Sequence, residues 1–181
     1  MIAGTLKGRR LKSPTWDGLR PTSDKLRETL FNILAPRLAG ARVLDGYAGT
    51  GALGIEAISR GAAWVMFVDS DRRAEALVAD NLAHCGVSGG YAIIRATVAV
   101  AIDDLGAAPA HPFDIILLDP PYDDPQVDAV IAAGGDALAP AGVLVLEHRR
   151  RQVVPEVAGR LVRVRQVTSG DSALSLYSCP R

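Results

Sequence analysis

The sequence predicts an α/β protein: a mostly parallel seven-stranded sheet, helices on both of its faces, and an antiparallel hairpin at the C-terminus. Three observations carry this. Short apolar runs alternate five times with stretches of helical character, the rhythm of successive β–α–β crossovers. The runs have no polar alternate face, which suits parallel strands covered above and below. Near the end, β-rich runs over 160–168 and 173–178 are split at Ser169-Gly170-Asp171, a link short enough for antiparallel neighbours alone.

Taken in order, residues 1–20 are basic, contain Gly4, Gly8 and Gly18, and suit a short hairpin or arm. Thr22 or Ser23 is placed to cap a helix with Leu26, Leu30, Phe31 and Leu34 on one face, which Pro36 should stop. Strands are then expected at 42–45, 64–69, 91–95, 113–119 and 142–147, with helices near 51–60, 71–84, 97–105 and 125–138. No internal repeat or low-complexity tract breaks the series. The basic arm and first helix, 1–40, are expected to belong to the same domain as the remainder, 41–181.

A length of 181 residues allows one well-buried core. No apolar run approaches a bilayer span, and the N-terminus lacks the apolar core of a secretory leader. Cys85 and Cys179 have no metal-ligand spacing and are too few for a disulfide framework. A cytoplasmic monomer without membrane or metal partners is the expectation. The net charge of zero hides a split. Lys7, Arg9, Arg10, Lys12, Arg20, Lys25, Arg27, Arg37 and Arg42 outnumber three acids before residue 43, the middle is strongly acidic, and the last 35 residues are basic again. Basic ends around an acidic middle suit a polyanion held beside a carboxylate-using site, although a solvated basic face would look the same.

The chemistry concentrates at two strand ends. Val43-Leu44-Asp45-Gly46-Tyr47-Ala48-Gly49-Thr50-Gly51-Ala52-Leu53-Gly54 reads as strand, tight turn and helix start. Gly49, Gly51 and Gly54 alone would suit a dinucleotide. Asp45 argues otherwise: an acid at that strand end repels a pyrophosphate but can take the cationic amino group of S-adenosylmethionine. Asp69, ending the next strand, can accept from ribose hydroxyls, and Asp71 is better placed to cap the following helix.

The second site is Asp119-Pro120-Pro121-Tyr122, which follows a strand with five apolar residues, Phe113 and 115–118. Two prolines make the turn rigid and leave carbonyls outward. A base's exocyclic amine is a poor nucleophile because its lone pair is delocalised into the ring. If the Asp119 carboxylate and the Pro120 carbonyl accept its two hydrogens, that pair is freed. Tyr122 can stack on the base and hold the nitrogen in line with the methyl sulfonium.

With these residues in view, the chain resembles the class I amino-methyltransferases that carry an (Asp/Asn/Ser)-Pro-Pro-aromatic motif. Residues 20–34, Arg-Pro-Thr-Ser-Asp-Lys-Leu-Arg-Glu-Thr-Leu-Phe-Asn-Ile-Leu, together with 48–57 and 119–122, resemble the RsmD family of 16S ribosomal RNA guanine-N2 methyltransferases. The resemblance runs nearly end to end. It implies a Rossmann-like class I fold, S-adenosylmethionine as cofactor, and ribosomal RNA, free or in the assembled small subunit, as partner. It further implies Asp45, Gly49 and Asp69 around the cofactor and residues 119–122 at the target amine; Tyr47 and Gly51 of the same loop are further candidates for the cofactor. Where the family tends to place Asp or Asn for the adenine, this chain has Ala96-Thr97-Val98, so Thr97 and the Val98 amide are the candidates. Lys7, Arg9, Arg10, Arg20, Arg27, Arg149 and Arg150 are the candidate RNA contacts.

Two alternatives are weaker. A dinucleotide oxidoreductase leaves the Asp-Pro-Pro-Tyr turn idle and finds no His placed for hydride chemistry among His84, His111 and His148. A DNA base methyltransferase on this scaffold usually needs a separate recognition domain, for which the chain has no room.

Overall fold

The computed structural model describes residues 1–16, 24–105, 112–122 and 124–180. Its elements are α1 (Asp24–Leu38), β1 (Arg42–Gly46), α2 (Ala52–Ser59), β2 (Trp64–Asp69), α3 (Arg72–His84), β3 (Tyr91–Arg95), α4 (Val98–Asp103), β4 (Phe113–Leu118), α5 (Val127–Ala137), β5 (Leu138–Arg149), β6 (Val157–Ala158), β7 (Leu161–Ser169) and β8 (Ser172–Ser178). They build one sheet in the order β3-β2-β1-β4-β5-β8-β7-β6. The first five strands run parallel, and β8 then pairs antiparallel with β5. The predicted class of fold is therefore the observed one, with an eighth strand of two residues added at the edge beyond the expected seven.

Both faces are covered, as the apolar strands require. On one face α1, α2 and α3 pack Leu30, Phe31, Leu34, Leu53, Ile55, Val78 and Leu82 against Val43, Phe67, Leu117 and Val145. On the other, α4 and α5 pack Ile102, Val130 and Ile131 against Leu44, Val68, Ile116 and Leu146. Gly54 shows why α2 lies so close to the sheet. A Cβ there would come within 2.2 Å of the Phe67 ring and 2.9 Å of the Asp45 carboxylate, so any larger residue lifts the helix.

Most boundaries shift by a residue or two; α1, β5 and the arm depart furthest from expectation. Helix α1 continues past Pro36 to Leu38. Leu34 and Leu38 are buried while Pro36 is exposed, so core packing holds the last turn and the missing amide falls on the solvent side. Its candidate caps, Thr22 and Ser23, lie outside the described residues. Strand β5 is longer than predicted: its first residues pair through a register shift opposite β4, and its last extend to Arg149, opposite Ser172 of β8. Over its described residues, 1–16, the arm turns at residues 3–8 and forms no hairpin. It is fastened by the buried Glu56, whose carboxylate accepts from the Ile2 and Ala3 amides at 2.8 and 3.0 Å. Ser59 Oγ accepts from the Leu6 amide at 2.9 Å.

Candidate active site

Strand order reverses between β1 and β4, and open α/β sheets bind ligands at the carboxyl edge of such a switch point. Asp45 and Asp119 stand there on adjacent strands, with Asp69 at the end of β2. The parallel register pairs Asp45 with Phe67 and with Leu117. Asp69 and Asp119 each lie two residues further along their strands, so all three side chains share the face covered by α1 to α3.

Asp45 is 1% exposed, and its Oδ2 accepts from the Gly54 amide at 2.8 Å. Burial pushes its pKa up to about 8; the Gly54 hydrogen bond opposes this, and the charges of Asp119 and Asp69 add to it. A carboxyl so placed is short of positive charge. A cationic ligand supplies it, whereas an anionic one would be repelled. Asp69 spends one hydrogen bond from each oxygen on the backbone: Oδ2 accepts from Gly49 N and Oδ1 from Asp71 N, both at 2.9 Å. Each oxygen keeps a lone pair for a hydroxyl donor. Asp71 is the cap of α3, accepting from the Arg73 amide.

Tyr47 takes up a left-handed backbone, φ 63°, a conformation that costs a residue with a Cβ. Its hydroxyl donates to Asp124 Oδ2 at 2.7 Å, so the glycine loop is tied to the chain beyond the proline turn. Burial, then Asp124, raises the Tyr47 pKa above the ordinary range. Gly49 and Gly51 also have positive φ, 55° and 77°. Thr97 is the cap of α4, its Oγ1 accepting from Val100 N at 3.3 Å. Its hydroxyl is therefore available to an adenine chiefly as a donor, and the Val98 side chain is committed to the core.

The Asp119 amide reaches the Gly46 carbonyl at 3.4 Å, which sets the turn against β1. Pro120 is buried and Pro121 exposed. Tyr122 is half-buried, its hydroxyl 3.4 Å from Ser172 Oγ and its ring 4.6 Å beneath the Arg149 guanidinium. Arg149 thus belongs to the site, and Arg150 is exposed beside it.

The arm's cations do not gather there. Lys7, Arg9 and Arg10 are exposed, and Arg9 donates to the carbonyl of His84, the last residue of α3. That is the end of the helix furthest from Asp69, about 18 Å along it. Arg27 is largely covered and pairs with Asp24 at 2.6 Å. Arg20 lies outside the described residues.

Sequence reasoning missed three residues. Glu147 is 7% exposed on β5, one step beyond Leu146, which pairs with Leu118; it continues the acid row beside Asp119. An acid ending a fifth apolar strand, as in the other three, was the available signal. Asp124, which receives Tyr47, and Asn81, which is fully buried, carry no local signature.

A cleft of about 320 Å³ lies at the opposite edge, lined by Arg37, Ala39, Gly40, Ala41, Asp114 and Ala141. Its polar groups serve the fold: Arg37 donates to the Ala141 carbonyl and Asp114 accepts from the Arg42 amide. Among the described residues no group of three or more His, Cys, Asp or Glu side chains is arranged to hold a metal, and no helix is long and apolar enough to cross a membrane.

Comparison with known proteins points the same way. The family model described as conserved hypothetical protein 95 matches residues 1–178. The chain is 34% identical over 179 residues to ribosomal RNA small subunit methyltransferase D of Escherichia coli strain K12, covering 98% of this chain and 88% of that protein. The solved structure of yhhF from Escherichia coli has a TM-score of 0.83 at 34% identity, covering 99% of this chain and 96% of that one. SMU.776, a methyltransferase solved with SAH, shares the fold at a TM-score of 0.70 and 18% identity, over 89% of this chain and 51% of its own.

Proposed function

Since the chain belongs to the conserved hypothetical protein 95 family, the RsmD family its motifs resemble, we propose that it methylates the N2 amine of a guanine in small-subunit ribosomal RNA. The methyl donor is S-adenosylmethionine, which supplies an electrophilic methyl group on a sulfonium. The observation that carries the reading is the acid row at the switch point, with Asp45 buried and short of positive charge one strand away from a proline-locked turn. The Escherichia coli relative's name supports a ribosomal RNA substrate.

Each residue then has a task. Asp45, ionised when a cation approaches, holds the amino group of the methionine portion. Asp69 accepts from the ribose while fixing the Gly49 amide, and so sets the loop and the sugar together. At the acceptor, the Asp119 carboxylate and the Pro120 carbonyl take one hydrogen bond each from the guanine N2. This draws the nitrogen toward sp³ and directs its lone pair at the methyl carbon. As the N–C bond forms, the C–S bond breaks with its electron pair leaving on sulfur. The nitrogen becomes positively charged, and its proton passes to Asp119 or to water, because the alkylated amine is itself acidic. Tyr122 holds the base by stacking. A base inside a duplex cannot reach this turn, so the acceptor is unpaired or flipped.

The test is a methyl-transfer assay with labelled S-adenosylmethionine on naked small-subunit RNA, assembled small subunits and duplex DNA, followed by nucleoside analysis. N2-methylguanosine from one of the RNA substrates is expected. Label in adenine, or in DNA alone, would refute the proposal.

A further inference from the structure

The arm does more than cover α2. Asn81 grips the backbone of Lys12 from both sides, its Oδ1 accepting from Lys12 N at 2.7 Å and its Nδ2 donating to Lys12 O at 3.2 Å. The same Nδ2 donates to the Thr50 carbonyl in the glycine loop at 2.9 Å. Four residues on, the Trp16 ring lies 4.9 Å from the guanidinium carbon of Arg73, in the first turn of α3. Asn81 and Arg73 are eight residues apart on that helix, about 12 Å, and four residues of extended chain span about 13–14 Å. Four residues are thus enough to pass from Lys12, held by Asn81, back to the first turn of α3, with the chain bending at Thr15 and Trp16. The indole stands where α3 begins, near the carboxyl edge of the sheet.

What Trp16 meets there is connected to the site. The Arg73 guanidinium bonds both Asp71 oxygens, at 2.6 to 3.1 Å. The Asp71 amide donates to Asp69, whose other oxygen holds Gly49. The sequence Trp16–Arg73–Asp71–Asp69 leads in four residues from the arm to the acid assigned to the ribose. Trp16 is only half-buried, so its ring still has surface to offer. We infer that Trp16 is a wall of the cofactor pocket, packing on the adenosine portion of S-adenosylmethionine, with Arg73 as the residue that positions it. This rests on the cofactor reading above and extends it to a residue outside the strand-end motifs. It also answers the lack of an acid or Asn near Thr97: an aromatic face recognises adenine without hydrogen bonds.

The experiment compares the full-length wild type with Trp16→Phe and Trp16→Ala, using S-adenosylhomocysteine as the probe. Binding is followed by calorimetry and by tryptophan fluorescence. The only other tryptophan, Trp64, begins β2, about 17 Å along the strand from Asp69, and serves as the internal reference. The wild type should show a saturable fluorescence change whose midpoint matches the calorimetric Kd. Trp16→Phe should abolish that change yet bind within about threefold of wild type, and Trp16→Ala should weaken binding about tenfold, with thermal stability and RNA affinity nearly unmoved. Calorimetric binding with no change in Trp16 emission, and an unaltered Kd in Trp16→Ala, would overturn the inference and leave the proposed function standing. Failure of the wild type to bind the probe at all would overturn both.

Discussion

The Tyr47 hydroxyl donates to Asp124 Oδ2 at 2.7 Å, joining the loop proposed to hold the cofactor to the segment that follows the turn proposed to hold the acceptor. Asp124 is itself set by its local fold, its amide donating to the Pro121 carbonyl at 3.1 Å and its Oδ1 accepting from Gln126 N at 2.9 Å. The strained backbone of Tyr47 is held by this contact, which adds a hydrogen bond to a charged group to the Asp119–Gly46 backbone bond that already sets the turn against β1. Tyr47→Phe keeps the ring and removes the bond, which should cost about 1.5–3 kcal/mol. We expect a lower Tm, and a fall in kcat/KM that exceeds the loss of S-adenosylhomocysteine affinity. Equal losses in binding and turnover would show that the latch serves the cofactor loop alone.

The buried carboxyl of Asp45 makes a pH prediction. Its folded pKa of about 8 stands above the ordinary value of 3.8, so between those values the native state holds a proton that the unfolded chain has released. Stability of the ligand-free protein should therefore fall as pH rises across that window. A cationic ligand needs the ionised form, so binding near pH 7 should release up to one proton, seen by calorimetry in buffers of different ionisation enthalpy, and affinity should rise toward pH 8. Asp45→Asn keeps an oxygen for the Gly54 amide. It should be as stable as wild type or more so at pH 8, while binding S-adenosylhomocysteine about ten- to hundredfold more weakly. Binding without proton release would place the cationic group elsewhere.

Much of this site was legible because its residues announce themselves through backbone chemistry. Asp45, Asp69 and Asp119 lie at or within one residue of the carboxyl ends of apolar strands, and in a parallel sheet those ends form the ligand edge whatever the rest of the fold does. Gly49 and Gly51 mark turns that only positive φ permits. The helix that ran through Pro36 and the strand that ran on to Arg149 were not legible, since burial of Leu38 and pairing with Ser172 decided them, and both depend on partners distant in sequence. The grip of Asn81 on Lys12 and Thr50, across 69 and 31 residues, has no local signal. The placement of Arg9 at the far end of α3 from the acids was hidden for the same reason: charge can be counted along a chain, but not aimed.

The acceptor turn yields a separation of roles. Asp119 touches the amine in the proposed mechanism and Asp45 the cofactor, so Asp119→Ala should abolish methyl transfer with cofactor affinity changed by less than about threefold. The small change expected is a slight gain, because removing a charge that bears on Asp45 favours ionisation there. Tyr122→Ala should lose about 1–3 kcal/mol of base stacking, read as KM for RNA, and Tyr122→Phe should keep most activity, since it removes only the hydroxyl near Ser172. Wild-type turnover by Asp119→Ala would end the mechanism.

The basic residues fall into two groups, and RNA should distinguish them. Arg149 stands over the Tyr122 ring, where the proposed mechanism places the base, whereas Lys7, Arg9 and Arg10 are exposed at the opposite end of α3. A phosphate bound by the arm is thus too far from Asp119 to share a nucleotide with it, and the arm should add affinity without aligning the reacting atoms. Changing Lys7, Arg9 and Arg10 together to Ala should weaken RNA binding and flatten its salt dependence by about 0.7 in log–log slope for each phosphate no longer held. It should leave kcat at saturating RNA unchanged. Arg149→Ala should do the reverse, lowering kcat through a less ordered Tyr122 while altering the slope by no more than a single phosphate's share. The measurement is RNA affinity at four or more salt concentrations for the two variants, beside single-turnover rates at saturation. An unchanged slope in the triple variant would remove the arm from the RNA-binding surface, and the basic patch carrying the phosphates would then have to be sought around Arg149 and Arg150.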